Sequence, residues 1–308
     1  MNTQNRPVVC VSYLASAELW SVPKYPDANQ GAEIQTTEHS VAGDAPMTAA
    51  VLAALGISTL LVSNRIGRDD TGGRVGRWLQ QRAVPMAAAA SAEVVTPRIV
   101  VVADDRNTRT WFAHLPGVAD DLARTNLSPI AKAPFVYLDA YQLIEVAAVR
   151  VVRIARRHGA QLFINLGGEP LSRDLRIELA GYRNLVIQTN VDDDAHQSAP
   201  NVARGILDTT CADWVVVTTG AFGSVAASRG QFLTTPAFPI DVRHTHCAGA
   251  AFSGGLLYGL YAGLPMARCM LLASASGALR CTRPQNAPLP TLLELEAVIA
   301  SLARRTAN

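Results

Sequence analysis

Cysteine is scarce and dispersed. The five residues Cys10, Cys211, Cys247, Cys269 and Cys281 form no Cys-x-x-Cys pair. That excludes a disulfide framework and a zinc ribbon, and an odd, scattered set predicts reduced thiols in a cytoplasmic protein. Charge of one sign is lacking as well. Lys+Arg number 27 against 25 Asp+Glu, for a formal net charge of +2. Without a long basic run, nucleic acid is not an indicated partner. The densest basic cluster, Arg153 to His158, reads as the solvated end of a helix. No uncharged span of roughly 18 residues occurs, so no membrane segment is expected. The polar start Met1 to Arg6 predicts no secretory leader. No Gly-x-Gly-x-x-Gly follows the apolar run Val8 to Val11, so a dinucleotide fingerprint is missing from its expected place.

Apolar residues are plentiful. Of 308 residues, 49% are hydrophobic and 17% charged, enough for a sizeable core. The apolar runs at 8–11, 58–63, 135–138, 162–165, 185–188 and 214–217 predict strands buried on both faces. Asp44 and Pro46 read as a helix start, with Asp44 as N-cap, and the helix 47–55 stops at Gly56. Further helices are predicted over 71–83, 142–157, 266–281 and 291–304. Runs 99–102 and 110–112 flank the turn-rich Asp104-Asp105-Arg106-Asn107, and 224–234 suits a short hairpin. Segment 16–42 is polar and should hold exposed strands without core. Alternating strands and helices predict one α/β domain over 1–308, with a mainly parallel sheet covered on both faces. A site is then expected beyond the carboxyl ends of the strands.

The informative stretch is His244-Thr245-His246-Cys247-Ala248-Gly249-Ala250-Ala251-Phe252-Ser253-Gly254-Gly255. An extended segment, Phe238 to Arg243, leads into it, and an apolar helix follows. A helix start exposes unpaired N–H groups and the positive end of the dipole, so it is a candidate anion site. His244, His246 and Cys247 fall short of the four ligands of a structural zinc site. Cys247 reads as a small residue in a tight place, with a helix start beside it that can lower a thiol pKa.

The stretch resembles the second signature of the ribokinase/PfkB carbohydrate kinase family, Asp-Thr-x-Gly-Ala-Gly-Asp-x-Phe-x-Gly-Gly. Thr245, Ala248, Gly249, Phe252 and Gly255 match; His244 and Cys247 depart from it. Gly43, Ala49, Leu55-Gly56, Ile66-Gly67, Asp69 and Gly72 resemble the first signature, with Met47 in place of its Asn. The family's early Gly-x-x-x-x-Asp aligns with Ser12 to Ala17, so its Asp is absent. Arg109-Thr110 resembles the lid segment Gly-x-Arg-Thr. Asn190 to Asp193 resembles Asn-x-x-Glu, and Val217 to Gly223 resembles Val-Thr-x-Gly-x-x-Gly. Asn286-Ala287 and Pro290-Thr291 resemble landmarks of the last adenine-side loop.

The resemblance implies a three-layer α/β/α domain with a small β lid from about 14–42 and 95–115. It implies an ATP- and Mg²⁺-dependent kinase acting on a hydroxymethyl group of a sugar, nucleoside or polyol, and a homodimer through the lid. Substrate would meet Gly43, Asp44, Met47 and Arg109. Nucleotide would meet Asn190, Thr218, Gly220, Gly223, Asn286 and Ala287, with Asp193 toward the metal. Cys247, Ala248 and Gly249 would hold developing charge. Ala250 stands where the family keeps its catalytic Asp, and losing a general base costs on the order of 10²–10⁴ in rate. Two readings stay open: a kinase whose Asp at 250 was deliberately exchanged, or a non-catalytic nucleotide- or sugar-binding relative.

Overall fold

The computed structural model describes residues 6–106 and 108–306. Asn107, part of the expected turn, and residues 1–5 of the polar start lie outside the described residues.

Apolar strands that bury both faces build an eight-stranded sheet. Its centre is parallel: β1 (Val8–Val11), flanked by β4 (Thr59–Val62) and β7 (Phe135–Asp139), then β8 (Gln161–Asn165), β9 (Leu185–Asn190) and β10 (Trp214–Thr218). The hairpin β11 (Ser224–Ala227) and β12 (Phe232–Thr235) extends it antiparallel. Alternate residues feed opposite cores, as the period of a strand requires. Val8 and Cys10 join one core, and Val9 and Val11 the other. On the first face pack α1 (Asp44–Ala54), α2 (Asp70–Gln81), α7 (Ala248–Tyr261), α8 (Met266–Thr282) and α9 (Leu292–Thr306). On the second lie α4 (Glu145–His158), α5 (Arg173–Leu179) and α6 (Ala199–Thr209), with the short α3 (Val118–Arg124) against α4. α4 ends in Arg156, Arg157 and His158 before Gly159, with Arg153 paired to Glu178 at 2.7 Å, so the basic cluster is a helix end.

A second, four-stranded sheet runs β3 (Thr36–Ala42), β2 (Ala15–Val22), β5 (Arg98–Asp104), β6 (Arg109–His114). β2 pairs antiparallel with β3 and parallel with β5. The expectation that 16–42 holds no core is corrected here. Ala17, Val22, Val41 and Ala42 are buried, Ala17 in a small cluster with Ile99 and Val101 and Val41 in the main core. One face of this sheet is sealed by packing, so its inward residues need only be small or β-branched. No strand forms over Phe238 to Arg243.

The start of α1 also differs from expectation. Gly43, not Asp44, is the N-cap, and no side chain within the helix caps it. The cap comes from another strand. Asp139, at the end of β7, accepts the amides of Asp44 and Ala45 at 2.9 Å each. That satisfies two orphan donors of the helix start from a carboxylate about a hundred residues away in sequence.

Candidate active site

The last residues of the parallel strands β7, β8, β9 and β10 are polar. Asp139 lies beside Asn165 across β7 and β8, and Asn190 beside Thr218 across β9 and β10. Asp139 and Asn165 are buried. Asp139 accepts hydrogen bonds from the amides of Asp44 and Ala45, from the Tyr137 hydroxyl at 2.8 Å, and from Asn165 Nδ2 at 3.0 Å. Asp44 Oδ2 accepts the Tyr141 hydroxyl at 2.7 Å and Asn165 Nδ2 at 2.9 Å. Two carboxyls thus share one asparagine. Burial, then the charge of Asp44, push Asp139 up to about 7. Burial likewise raises Asp44, while Tyr141, Asn165 and the positive charge of Arg109 oppose the rise. Gly43 sets Asp44 in place. Its φ is +89°, and a Cβ there would lie 2.0 Å from the carbonyl oxygen of Tyr13.

Opposite Asp44 is the start of α7. Cys247 caps it with φ 58°, in the left-handed region. Ala248 N reaches Thr245 O at 3.3 Å and Ala251 N reaches Cys247 O at 2.9 Å. Among the described residues no hydrogen bond uses the amides of Gly249 or Ala250. Two free donors at a helix N-terminus are the equipment of an anion site. The Ala250 methyl is buried at 1% exposure, and its carbonyl accepts the Thr48 hydroxyl at 3.1 Å. The helix start does not lower the Cys247 thiol: burial pushes it up to about 12. Both histidines meet backbone carbonyls. His244 Nε2 meets Arg283 O at 2.6 Å, and His246 Nε2 meets Val41 O at 3.2 Å. Burial and the charge of Arg280 lower them to about 4 and about 3.

A cavity of about 190 Å³ lies between the small sheet and these loops. Tyr13, Asp44, Arg109, Trp111, His246 and Cys247 line it, together with Gly43. Arg109 reaches across from β6, its Nη1 donating to Thr245 O at 3.1 Å. Met47 is not part of the lining. It is 1% exposed and packed in the core, which corrects its expected contact with substrate. The cause is that α1 is buried on nearly every side, so the loop position of Asn in the resembling motif is here an apolar core position. A larger concavity of about 310 Å³ at Pro23 to Tyr25 and Asp104 to Arg106 lies at the tips of the small sheet and holds none of the residues that end β7, β8, β9 or β10.

The second cluster gathers past β9 and β10. Asn190 lies over Gly168, its Nδ2 3.0 Å from where a Cβ would be. Asp193 presses its carboxylate against Gly220, whose φ is +54°. The loop 219–223 is closed by Thr219 N to Gly223 O at 2.9 Å, and Gly223 has φ +92°. His196 stacks on the exposed Phe222 with ring centroids 3.8 Å apart. Asn286 is exposed and Ala287 half-buried. Their loop is held by Arg82 Nη2, which donates to the carbonyls of Gln285 at 3.1 Å and Ala287 at 3.4 Å. Glu38 of β3 accepts Gln285 N at 2.7 Å, tying the small sheet to this loop. Among the described residues no group of three or more His, Cys, Asp or Glu forms a metal cage, and no helix is long and apolar enough to cross a membrane.

Sequence reasoning passed over Asp139, Tyr141, Asn165 and Tyr13. The available signal was a polar residue closing β7 and β8, Asp139 after Leu138 and Asn165 after Ile164, where sites in parallel sheets collect.

Comparison with known proteins agrees with this architecture. The model of the pfkB family carbohydrate kinases matches residues 6–292. The chain is 27% identical over 169 residues to the 5-dehydro-2-deoxygluconokinase of Geobacillus thermodenitrificans, a match spanning 50% of each chain. It is 23% identical over 297 residues to the enzyme of that name from Geobacillus kaustophilus, covering 87% of each. The solved structure of Arabidopsis thaliana ribokinase complexed with ribose and ATP superposes with a TM-score of 0.75 at 17% identity, over 96% of this chain and 98% of that one.

Proposed function

The chain belongs to the pfkB family of carbohydrate kinases, and from that premise we propose that it is an ATP-dependent kinase phosphorylating a hydroxymethyl group of a small sugar. The observation that carries the reading is the pair of free amides, Gly249 and Ala250, at the start of α7. They lie beside a cavity with polar side chains on one side, and the Asp193–Gly220 loop supplies a nucleotide edge. Phosphoryl transfer asks the protein for positioning and electrostatic stabilisation, and free backbone donors at a helix start supply the second. Thr218, Gly220, Gly223 and the loop of Asn286 and Ala287 would bind the nucleotide. The half-buried ring of His196, stacked on the exposed ring of Phe222, adds an apolar edge there.

Magnesium fits the residues present. Asp193 offers one carboxylate, and this cation is held largely by phosphate oxygens and water. When bound it neutralises charge on the phosphates, and Asp193 would hold it. Arg109 and Asp44 would orient the substrate. Both Geobacillus relatives are named for a sugar acid, and the guanidinium of Arg109 suits a carboxylate, so sugar acids come first in a substrate panel, before neutral sugars, polyols and nucleosides. Trp111 and Phe112 of β6 are 67% and 57% exposed, and a homodimer through this sheet would cover them.

The test is calorimetric titration with MgATP, followed by transfer of labelled γ-phosphoryl to the panel. No heat at millimolar nucleotide sinks the reading. A second reading, a non-catalytic nucleotide or sugar sensor, rests on the methyl at position 250. Tight binding with no transfer to any acceptor would favour it.

A further inference from the structure

A kinase of this design needs a group to accept the proton of the attacking hydroxyl, and position 250 has no such group. The cavity does. Among the described residues lining it, Asp44 is the one carboxylate. Its Oδ2 is fixed by Tyr141 and Asn165, and no hydrogen bond among the described residues reaches Oδ1. The side chain is half-buried and the residue lines the cavity, so Oδ1 is its open acceptor. The other titratable groups there serve poorly. Burial leaves the Cys247 thiol neutral and His246 a weak base.

We propose, resting on the kinase reading above, that Asp44 is the general base of this chain, held by Tyr141 and Asn165 and backed by Asp139. The step balances. The substrate O–H bond breaks and its proton passes to Asp44 Oδ1. The oxygen electron pair forms a bond to the γ-phosphorus, the bond from that phosphorus to the bridging oxygen breaks, and its electrons leave with ADP. The amides of Gly249 and Ala250 face the charge that develops. Asp139 acts as a positioning residue. By capping α1 and sharing Asn165 with Asp44, it fixes the Asp44 backbone and side chain together. Burial raises the proton affinity of Asp44 above that of an ordinary carboxylate, which strengthens it as a proton acceptor. The charged and titratable groups facing it are Asp139, Tyr137 and Tyr141 on the β7 side, Tyr13 before β2, Arg109 on β6 and Cys247 before α7.

The experiment compares the unmodified chain with Asp44→Asn, Ala250→Asp and the double variant. The readouts are transfer to the acceptor panel, the pH profile of kcat, and MgATP affinity. The unmodified chain is expected to transfer. Asp44→Asn should lose about a hundredfold or more in kcat, with MgATP affinity within about threefold. Its profile should also lose the acid limb, a change that a merely structural role would not produce. The double variant should recover part of the loss. Asp44→Asn keeping kcat within about threefold overturns the proposal. So does an inert unmodified chain alongside an active Ala250→Asp; in that outcome the kinase reading stands and Asp44 is rejected. If all forms bind MgATP and none transfers, the kinase reading fails and the proposal falls with it. Should Asp44→Asn not fold, the unmodified chain decides: kcat flat from about pH 8 to pH 4 overturns the proposal.

Discussion

Gly220→Ala isolates the link between Asp193 and the loop 219–223. An added Cβ would lie 2.0 Å from Asp193 Oδ1 and 3.0 Å from its Cγ, where ordinary contact begins at 3.4 Å. The carboxylate must then withdraw by about 1.4 Å, or the loop must move as far. The backbone adds a second cost. At φ +54° an L side chain is strained by about 1–2 kcal/mol. Because Asp193 is a side chain and can swing, the clash itself should be relieved without unfolding. The predicted stability loss is therefore about 1–2 kcal/mol, a fall in Tm of a few degrees. On the proposed placement of Asp193 the functional loss should be larger, because a displaced carboxylate would no longer meet a cation at its short metal–oxygen distance. Affinity for MgATP should fall at least about tenfold, or about 1.4 kcal/mol, while binding without magnesium changes less. Calorimetry with and without the metal reads this directly. Gly205→Ala in α6 is the control. Nothing lies within 4 Å of its added Cβ, and a helical Gly→Ala change should be neutral or stabilise by about 0.5–1 kcal/mol. Unchanged MgATP affinity in Gly220→Ala would refute the placement of Asp193 at the nucleotide.

Three further outcomes follow from other contacts. Asp193→Ala should remove the magnesium dependence of nucleotide binding with no loss of helical signal; an unchanged magnesium titration excludes Asp193 from the site. Asp69 caps α2 through Gly72 N at 2.7 Å and also accepts Thr96 N at 3.0 Å and its hydroxyl at 2.7 Å, so Asp69→Ala should cost about 1–3 kcal/mol in urea melts at neutral pH. Burial opposes ionisation of Asp69, but those donors outweigh it and hold its pKa below the usual carboxylate value. Its contribution is present above the unfolded value of about 4 and fades as pH falls through the folded one, so the gap to Asp69→Ala should close in acid; a gap that widens there contradicts the assignment. Gly254→Ala puts a Cβ 2.6 Å from Val51 Cβ and 3.3 Å from Thr48 O, wedging α7 from α1. It should cost about 1–3 kcal/mol by overpacking, and a chemical melt indistinguishable from the parent would show that the two helices are not locked there.

Much of the architecture was written in local pattern. Val8 to Val11, Leu162 to Asn165 and Trp214 to Thr218 are apolar runs too short for helices and bounded by turn residues, so they had to be buried strands. The helix stops at Gly56 and Gly159 were equally visible, because a left-handed C-terminal residue is a property of one position. The motif order from Gly43 to Thr291 identified the family for the same reason: each motif is a turn or helix start whose geometry its own few residues dictate. Pairing between distant strands leaves no such local trace. That Asp139 caps α1, that Asn165 bridges it to Asp44, and that Glu38 reaches Gln285 depend on which strands are neighbours. Met47 shows the same limit from the other side. Its place in the motif suggested a ligand contact, while burial of α1 from Ala45 to Leu52 made it core. The sequence determined that a helix start at 248–250 would offer free amides. Only tertiary packing decided which carboxylate would face them, because that carboxylate comes from a helix start some two hundred residues earlier.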